Sequence, residues 1–275
     1  MSQTYCMGFL DLDGTTLLPD STLSQRTIRA VRRVTAVGVQ LVLASARPPR
    51  TILPYREELG LSSPTIAYNG AVVLDASGRV LFREHLERSI AAGVVRLIRQ
   101  RLPSINISLE CDDIWHIDRV DEDLRETLHR YRISPPHTVG QVDRLIDSGE
   151  IDVTKLLFSG GDRVPELAAE FQAAFGRSAC FVPTGGLVEI VAEGVSKGAA
   201  AAELCRRLCV DSVRVFAVGD QYNDIPMLDF AGLAVAMGNA PPGVKEVAAR
   251  VVPTHTNDGL AILLEDLLEN ELLSS

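Results

Sequence analysis

The chain has 275 residues, 46% of them hydrophobic and 23% charged, which excludes disorder on a large scale and allows one large domain or two modest ones. A formal net charge of −9 argues against a general nucleic-acid binder, whose surface is ordinarily basic, and gives no long-range attraction for an anionic substrate. No run approaches the roughly 18 to 20 apolar residues of a membrane span, and five scattered cysteines, an odd number, fit a reducing cytoplasm better than a disulfide framework.

The N-terminus lacks a basic segment followed by an apolar run and a cleavage site, so no secretory leader is expected. Residues 5–10 read as a buried strand that feeds the loop Asp11-Leu12-Asp13-Gly14-Thr15. Residues 24–37 read as a helix: Ser24 can cap it, Ile28, Val31 and Val34 recur at helical spacing, and Gly38 stands where it should stop. Residues 39–43 are a continuous apolar run, the mark of a parallel strand covered on both faces. Ala44-Ser45-Ala46-Arg47 follows, and Pro48-Pro49 open the next element.

The middle of the chain changes character. A helix over residues 89–102, an alternating strand over 105–109, a polar stretch rich in Asp and Arg, a strand over 153–158, a helix over 164–175 and a strand over 179–182 predict a separate α+β unit. Cys111-Asp112-Asp113 ahead of Trp115 reads as a surface turn before a strand, and Pro183-Thr184-Gly185-Gly186 as a hinge or loop. The strand–helix rhythm then returns, with a helix over 198–208, a strand over 213–218, a helix over 225–230, a strand over 233–236 and a closing helix over 257–268. The fold class expected is α/β, a doubly wound Rossmann-like parallel-sheet core (1–84 and 186–275) with an inserted α+β cap (85–185).

Four stretches carry chemistry, and all fall near predicted strand ends, where open α/β sheets bind ligands. A carboxylate at the end of a strand, Asp11, can attack phosphorus and form an acyl phosphate. Asp13, two residues later, can protonate the leaving oxygen and then activate water. The Ser45 hydroxyl can donate to a phosphate oxygen, and the Arg47 guanidinium can pair with an anion. Lys197 opens a helix, an unfavourable place for a cation unless something negative lies close by. In Gly219-Asp220-Gln221-Tyr222-Asn223-Asp224, Asp220 suits a metal and Asp224 suits a supporting place beside the metal or Lys197; the plain alternative is that Asp220 and Asp224 are a capping pair for the following helix, for which Asn223 is also a plausible cap. Converging carboxylates 4 Å apart repel by about 1 kcal/mol per pair in water and about 4 at an effective dielectric of 20. A divalent cation removes that repulsion, and all-oxygen ligation without a His or Cys cluster points to Mg2+. Cys205 and Cys209, four apart on a helical pattern, read as core, and the five histidines show no paired spacing.

Together these stretches resemble the haloacid dehalogenase superfamily of phosphatases, and their order, with the long insertion, resembles its Cof-like branch of sugar-phosphate phosphatases. The resemblance spans essentially the whole chain, and Tyr68-Asn69-Gly70-Ala71 also resembles a stretch of that branch. It implies that Asp11 is phosphorylated and also holds magnesium, that Asp13 gives its main-chain carbonyl to the metal and its side chain to proton transfer, and that Ser45, Lys197 and Asn223 bind the phosphoryl group. Asp220 would ligate magnesium with Asp224 in its surroundings, and Arg47 and Asn69 are candidates for contact with the substrate. Ser45-Ala46 stands where Thr-Gly is usual, Thr16 where leucine is, and Gln221 where a small or acidic residue is.

The function expected is hydrolysis of a small phosphomonoester, a sugar phosphate first among them, with no nucleic-acid or membrane partner; the oligomeric state is not legible. A phosphomutase is the alternative within enzymes. A receiver-like phospho-Asp signalling module is the alternative outside them, and Asp13 argues against it, because a switch that keeps its phosphate has no use for an adjacent general base.

Overall fold

The computed structural model describes residues 4–130, 135–159, 164–184 and 187–274. The chain divides into two units, Met1–Phe82 with Ser196–Ser275, and Arg83–Val195.

The first unit begins β1 (Met7–Leu10), α1 (Gln25–Ala36), β2 (Gln40–Ala44), α2 (Pro49–Leu59), β3 (Thr65–Ala67), β4 (Val72–Leu74) and β5 (Val80–Arg83). The second holds α3 (Arg88–Arg101), β6 (Ile107–Cys111), β7 (Ile114–Ile117), α4 (Glu122–Arg130), β8 (Thr138–Val139), α5 (Val142–Ser148), β9 (Lys155–Ser159), α6 (Val164–Phe175), β10 (Ala179–Thr184) and β11 (Leu187–Ala192). The first unit resumes with α7 (Lys197–Leu208), β12 (Val215–Gly219), α8 (Ile225–Phe230), β13 (Leu233–Ala236), α9 (Pro242–Val247), β14 (Arg250–Val251) and α10 (Gly259–Glu269).

In the first unit the sheet order is β14-β13-β12-β1-β2-β3-β4-β5, parallel from β14 through β3, with β4 antiparallel to β3. β1 lies between β12 and β2, with Phe9 opposite Ala217 and Val42, and all four of its residues are buried. Such burial on both faces is why β1 and β2 read as unbroken apolar runs rather than alternating ones. Strands that leave β1 in opposite directions make its carboxyl end a topological switch point. Helix α1 forms where it was expected: Ser24 Oγ accepts from the Thr27 N–H at 3.0 Å, and Ile28, Ala30, Val31 and Val34 are buried along one stripe. Such a cap is worth about 1 kcal/mol.

The second unit is built on the sheet β10-β11-β9-β6-β7-β8, antiparallel throughout except for β7 with β8. Ile107, Leu109, Leu156, Phe158, Val188 and Ile190 pack with Val94, Ile98, Leu167 and Phe171 of α3 and α6 in one apolar core. Phe171 meets Phe158 edge-on and stacks on Phe181.

Several elements depart from the sequence expectation. The boundary after the insertion falls at 195/196 rather than 185/186, because β11 completes the second sheet by pairing with β10 and β9. The polar stretch contains β7, α4, β8 and α5, short elements whose polar faces mask any period. Asp112 and Asp113 do form a turn, both at positive φ as a tight hairpin between β6 and β7 requires. Pro183 and Thr184 close β10 instead of a loop; Pro is tolerated because β10 is an edge strand, and residues 185–186 lie outside the described ones. Cys205 is buried as expected, but Cys209 is exposed, since it caps α7 in a left-handed conformation.

Candidate functional site

Asp11 follows β1, Ser45 follows β2 and Asp220 follows β12, so three adjacent parallel strands deliver their next residues to the same end of the sheet. Lys197 comes from the start of α7, which Ser196 caps by accepting from the Ala199 N–H at 3.0 Å. Its Nζ donates to Asp11 Oδ1 at 2.5 Å and to Asp224 Oδ1 at 2.6 Å. Lys197 is 1% exposed. Burial disfavours its charged form, yet Asp11 and Asp224 outweigh that cost and raise its pKa.

The carboxylates are in the opposite position. Burial holds the Asp11 carboxyl well above the ordinary range, and the nearby charges of Asp224 and Asp220 add to the effect while Lys197 opposes it. Asp220 is raised too, by burial and then by Asp224. One oxygen from each of Asp11, Asp220 and Asp224 lies within 4.8 Å of the others, so three carboxylates face a single ammonium. That excess, in an all-oxygen donor set, fits a hard divalent cation such as magnesium. Asp224 has both oxygens engaged, Oδ1 by Lys197 and Oδ2 by the N–H groups of Asp220 and Gln221, each at 2.9 Å. These bonds close the short turn at 222–224, while helix α8, which the capping reading concerned, takes no side-chain cap from Asp224. Asp11 Oδ1 meets Lys197, and no hydrogen bond reaches its Oδ2 among the described residues.

Asp13 stands apart from this cluster. Arg47 holds its carboxylate in a fork, Nε to Oδ2 at 2.7 Å and Nη2 to Oδ1 at 2.5 Å, and the guanidinium lies 5.5 Å from the Tyr55 ring centroid. Arg47, expected at the substrate, is therefore engaged by the second acid of the motif. Ser45 is buried, and its Oγ accepts from the Arg47 N–H at 3.2 Å, which leaves the hydroxyl proton to give. Ala46 has no left-handed φ, so the glycine usual at that place is not required by the backbone here. Asn69, the other candidate for substrate contact, is 2% exposed and accepts from Asn223 Nδ2 at 2.8 Å. Asn223 caps nothing; the short turn at 222–224 is capped by Gln221 and Asp224.

Four further residues shape the site without having been given a role in it from the sequence; three of them, Thr15, Thr16 and Gln221, lie in or beside the motifs, and Asn239 does not. Thr15 Oγ1 donates to Asp220 Oδ1 at 3.0 Å, and Gln221 Nε2 donates to Asp220 Oδ2 at 3.1 Å. Thr16 Oγ1 donates to the Asp11 carbonyl at 2.5 Å. Asn239 Nδ2 bridges the Gly14 carbonyl at 2.9 Å and Asp220 Oδ2 at 3.1 Å. Asn239 lies just past β13, the next parallel strand, and its place beyond a strand's carboxyl end was the signal that could have found it. Gly14, at φ 81°, is required twice over, by that backbone and because a Cβ would overlap the Asp220 carboxylate.

The family model for haloacid dehalogenase-like hydrolases matches residues 9–264. Among similar proteins, 5-amino-6-(5-phospho-D-ribitylamino)uracil phosphatase YitU of Bacillus subtilis is 29% identical, over 94% of this chain and 95% of its own. HMP-PP phosphatase of Yersinia pestis is 30% identical, over 88% of this chain and 87% of its own. A crystal structure of a Thermotoga maritima protein superposes with a TM-score of 0.81 at 26% identity, covering 96% of this chain and 97% of that one.

Proposed function

The chain belongs to the haloacid dehalogenase-like hydrolases, in their Cof-like branch, and from that premise we propose that it is a magnesium-dependent phosphatase acting on a small phosphomonoester through a phosphorylated Asp11. The observation that carries the proposal is the buried Asp11–Lys197–Asp224 chain beside Asp220, at the carboxyl end of the central strand.

In this reading the Asp11 carboxylate attacks phosphorus and the ester oxygen leaves. Asp13 gives that oxygen a proton and afterwards takes one from the water that cleaves the acyl phosphate. The pair sits on one loop, whose turn Gly14 permits. Lys197 offsets the charge of the entering phosphoryl group, and the Ser45 hydroxyl and the Asn223 amide donate to its oxygens. Asp11, Asp220 and the Asp13 carbonyl would hold magnesium, with Asp224 supporting Lys197 and the 220–221 turn. The ion supplies charge neutralisation between carboxylates and phosphate. Thr15, Gln221 and Asn239 fix the Asp220 carboxylate from three directions.

The substrate class proposed is a small phosphorylated metabolite such as a sugar phosphate, with Arg83–Val195 as the unit that confers selectivity. The similar proteins named above act on small phosphorylated compounds, and the net charge of −9 leaves substrate attraction to the local cations. The test is release of inorganic phosphate from p-nitrophenyl phosphate. It should require magnesium and fall to background in Asp11→Ala, and an Asp11→Ala protein as fast as the parent would remove Asp11 as nucleophile.

A further inference from the structure

Residues 68–70 take an unusual path. Tyr68, Asn69 and Gly70 have φ values of 51°, 57° and 107°, three left-handed residues in succession just after β3. For Tyr68 and Asn69 this conformation costs about 1–2 kcal/mol each, less for asparagine, whose short side chain tolerates it. Something must hold the path in place, and the contacts show what. The Tyr68 N–H donates to the Arg47 carbonyl and the Asn69 N–H to the Ser45 carbonyl, both at 3.0 Å. Gly70 passes so close to the Ser196 carbonyl that a Cβ would overlap it. The Asn69 side chain accepts from Asn223. One tripeptide therefore touches the Ser45 loop, the residue before Lys197 and the Asn223 turn, three of the segments that furnish phosphate ligands in the proposed function.

The side-chain bond has a directional consequence. An asparagine amide presents an oxygen and an NH2 group, and only the NH2 group can serve a phosphate oxygen. Asn69 Oδ1 takes one N–H of Asn223, which fixes the amide with nitrogen on this side and leaves its second N–H to donate. Without that acceptor, the Asn223 amide is free to turn and meet an anion with its carbonyl.

We propose that Asn69 is a positioning residue, acting on phosphate through Asn223: its Oδ1 sets the orientation of the Asn223 amide, while its left-handed backbone ties that orientation to the Ser45 loop. This rests on the phosphatase reading above. It replaces the expectation that Asn69 meets the substrate itself.

A double-mutant cycle separates the two roles. Asn69→Gly removes Oδ1 and keeps a residue at ease with positive φ. With p-nitrophenyl phosphate and magnesium, Asn69→Gly should raise KM and the inhibition constant of inorganic phosphate about 10-fold, the equivalent of one hydrogen bond, with a smaller change in kcat. In an Asn223→Ala background the same substitution should have no further effect. Asn69→Ala, which also lacks Oδ1 but retains a Cβ, repeats the cycle should the glycine variant fold poorly. Equal losses in both backgrounds would overturn the inference, since Asn69 would then act without Asn223. So would a fall in kcat with the phosphate constant unmoved, the sign of a structural role alone. A parent that releases no phosphate with magnesium overturns the phosphatase reading together with this inference, whereas additive effects in an active parent overturn this inference only.

Discussion

Lys197 in the first unit and Lys155 in the second are both nearly out of reach of water, 1% and 4% exposed, and both end on a carboxylate. Their settings differ. Lys155 sits within strand β9, where the register places it opposite Glu110 of β6 and its Nζ reaches Glu189 of β11 at 2.9 Å. Its neighbours come from the ladder itself, so the backbone that forms the sheet also brings the charges together. Lys197 meets residues that follow different strands, Asp11 after β1 and Asp224 after β12, and Asp220 stands beside them. No ladder aligns these groups, and carboxylates outnumber the ammonium three to one. The first arrangement is complete as a structural element. The second leaves two carboxyls, Asp11 and Asp220, pushed up by burial, an imbalance that the proposed magnesium and phosphate site would relieve.

The largest expected effects come from deleting each lysine. Removing one partner of a buried pair costs about 3–5 kcal/mol, because a charge is left buried without compensation. Lys197→Ala and Lys155→Met should therefore both lower stability by that order in thermal or urea unfolding. Their activities should part. Lys197→Ala should lose about 10²–10³-fold in kcat, as for other groups that stabilise transition-state charge, while Lys155→Met should keep its turnover of p-nitrophenyl phosphate per folded molecule. A Lys155 variant as inactive as the Lys197 variant would erase the distinction drawn here.

A second effect is smaller and depends on pH. A carboxyl whose folded pKa lies above its unfolded value, roughly 4, stabilises the fold below that value, and the contribution is lost as pH rises through the folded pKa. Asp11 is such a group, raised by burial and then by Asp224. Without metal, the parent should become less stable relative to Asp11→Asn as pH is raised from 4 to 8, because asparagine does not titrate. Magnesium should raise the parent's melting temperature more at pH 8 than at pH 5, since protons compete for the same oxygens. A parent-to-variant gap that stays flat across this range would mean that Asp11 does not titrate as its surroundings require.

The same contrast explains what the sequence could and could not reveal. β1, β2 and β12 were legible because strands buried on both faces leave unbroken apolar runs, and the residues just past them were legible because a loop at a parallel strand's carboxyl end is where polar chemistry gathers. The second unit was legible only in outline. Its small elements such as β8 span two residues, and residues 187–192 were placed with the core and not read as a strand, because the pairing of β11 with β9 and β10 is a tertiary fact. Within the site, Asp11, Lys197, Asp220 and Asp224 converge although up to 213 positions separate them. What escaped were contacts made through one atom on another side chain: that of Asn239, to which the sequence did not point, with Asp220, and that of Asn69, a named candidate, with Asn223. Neither has a spacing rule, because the contacts span 19 and 154 positions and are set by the tertiary fold.

The smallest effect concerns a third charged pair, more open than the other two. The Asp13 and Arg47 side chains are 55% and 25% exposed, so their pairing should add only about 0–1 kcal/mol to stability. Its weight should fall on catalysis instead. General acid–base groups contribute typically 10²–10⁴-fold, and Arg47→Ala keeps the Asp13 carboxyl but frees it to rotate. The loss in kcat should be about 10-fold, well short of removing the acid. Arg47→Lys should recover little of it, since an ammonium cannot reproduce the two-point grip of the guanidinium. Steady-state kinetics with a small phosphomonoester decides the matter: a change in KM alone, with kcat intact, would return Arg47 to the substrate and leave Asp13 to orient itself.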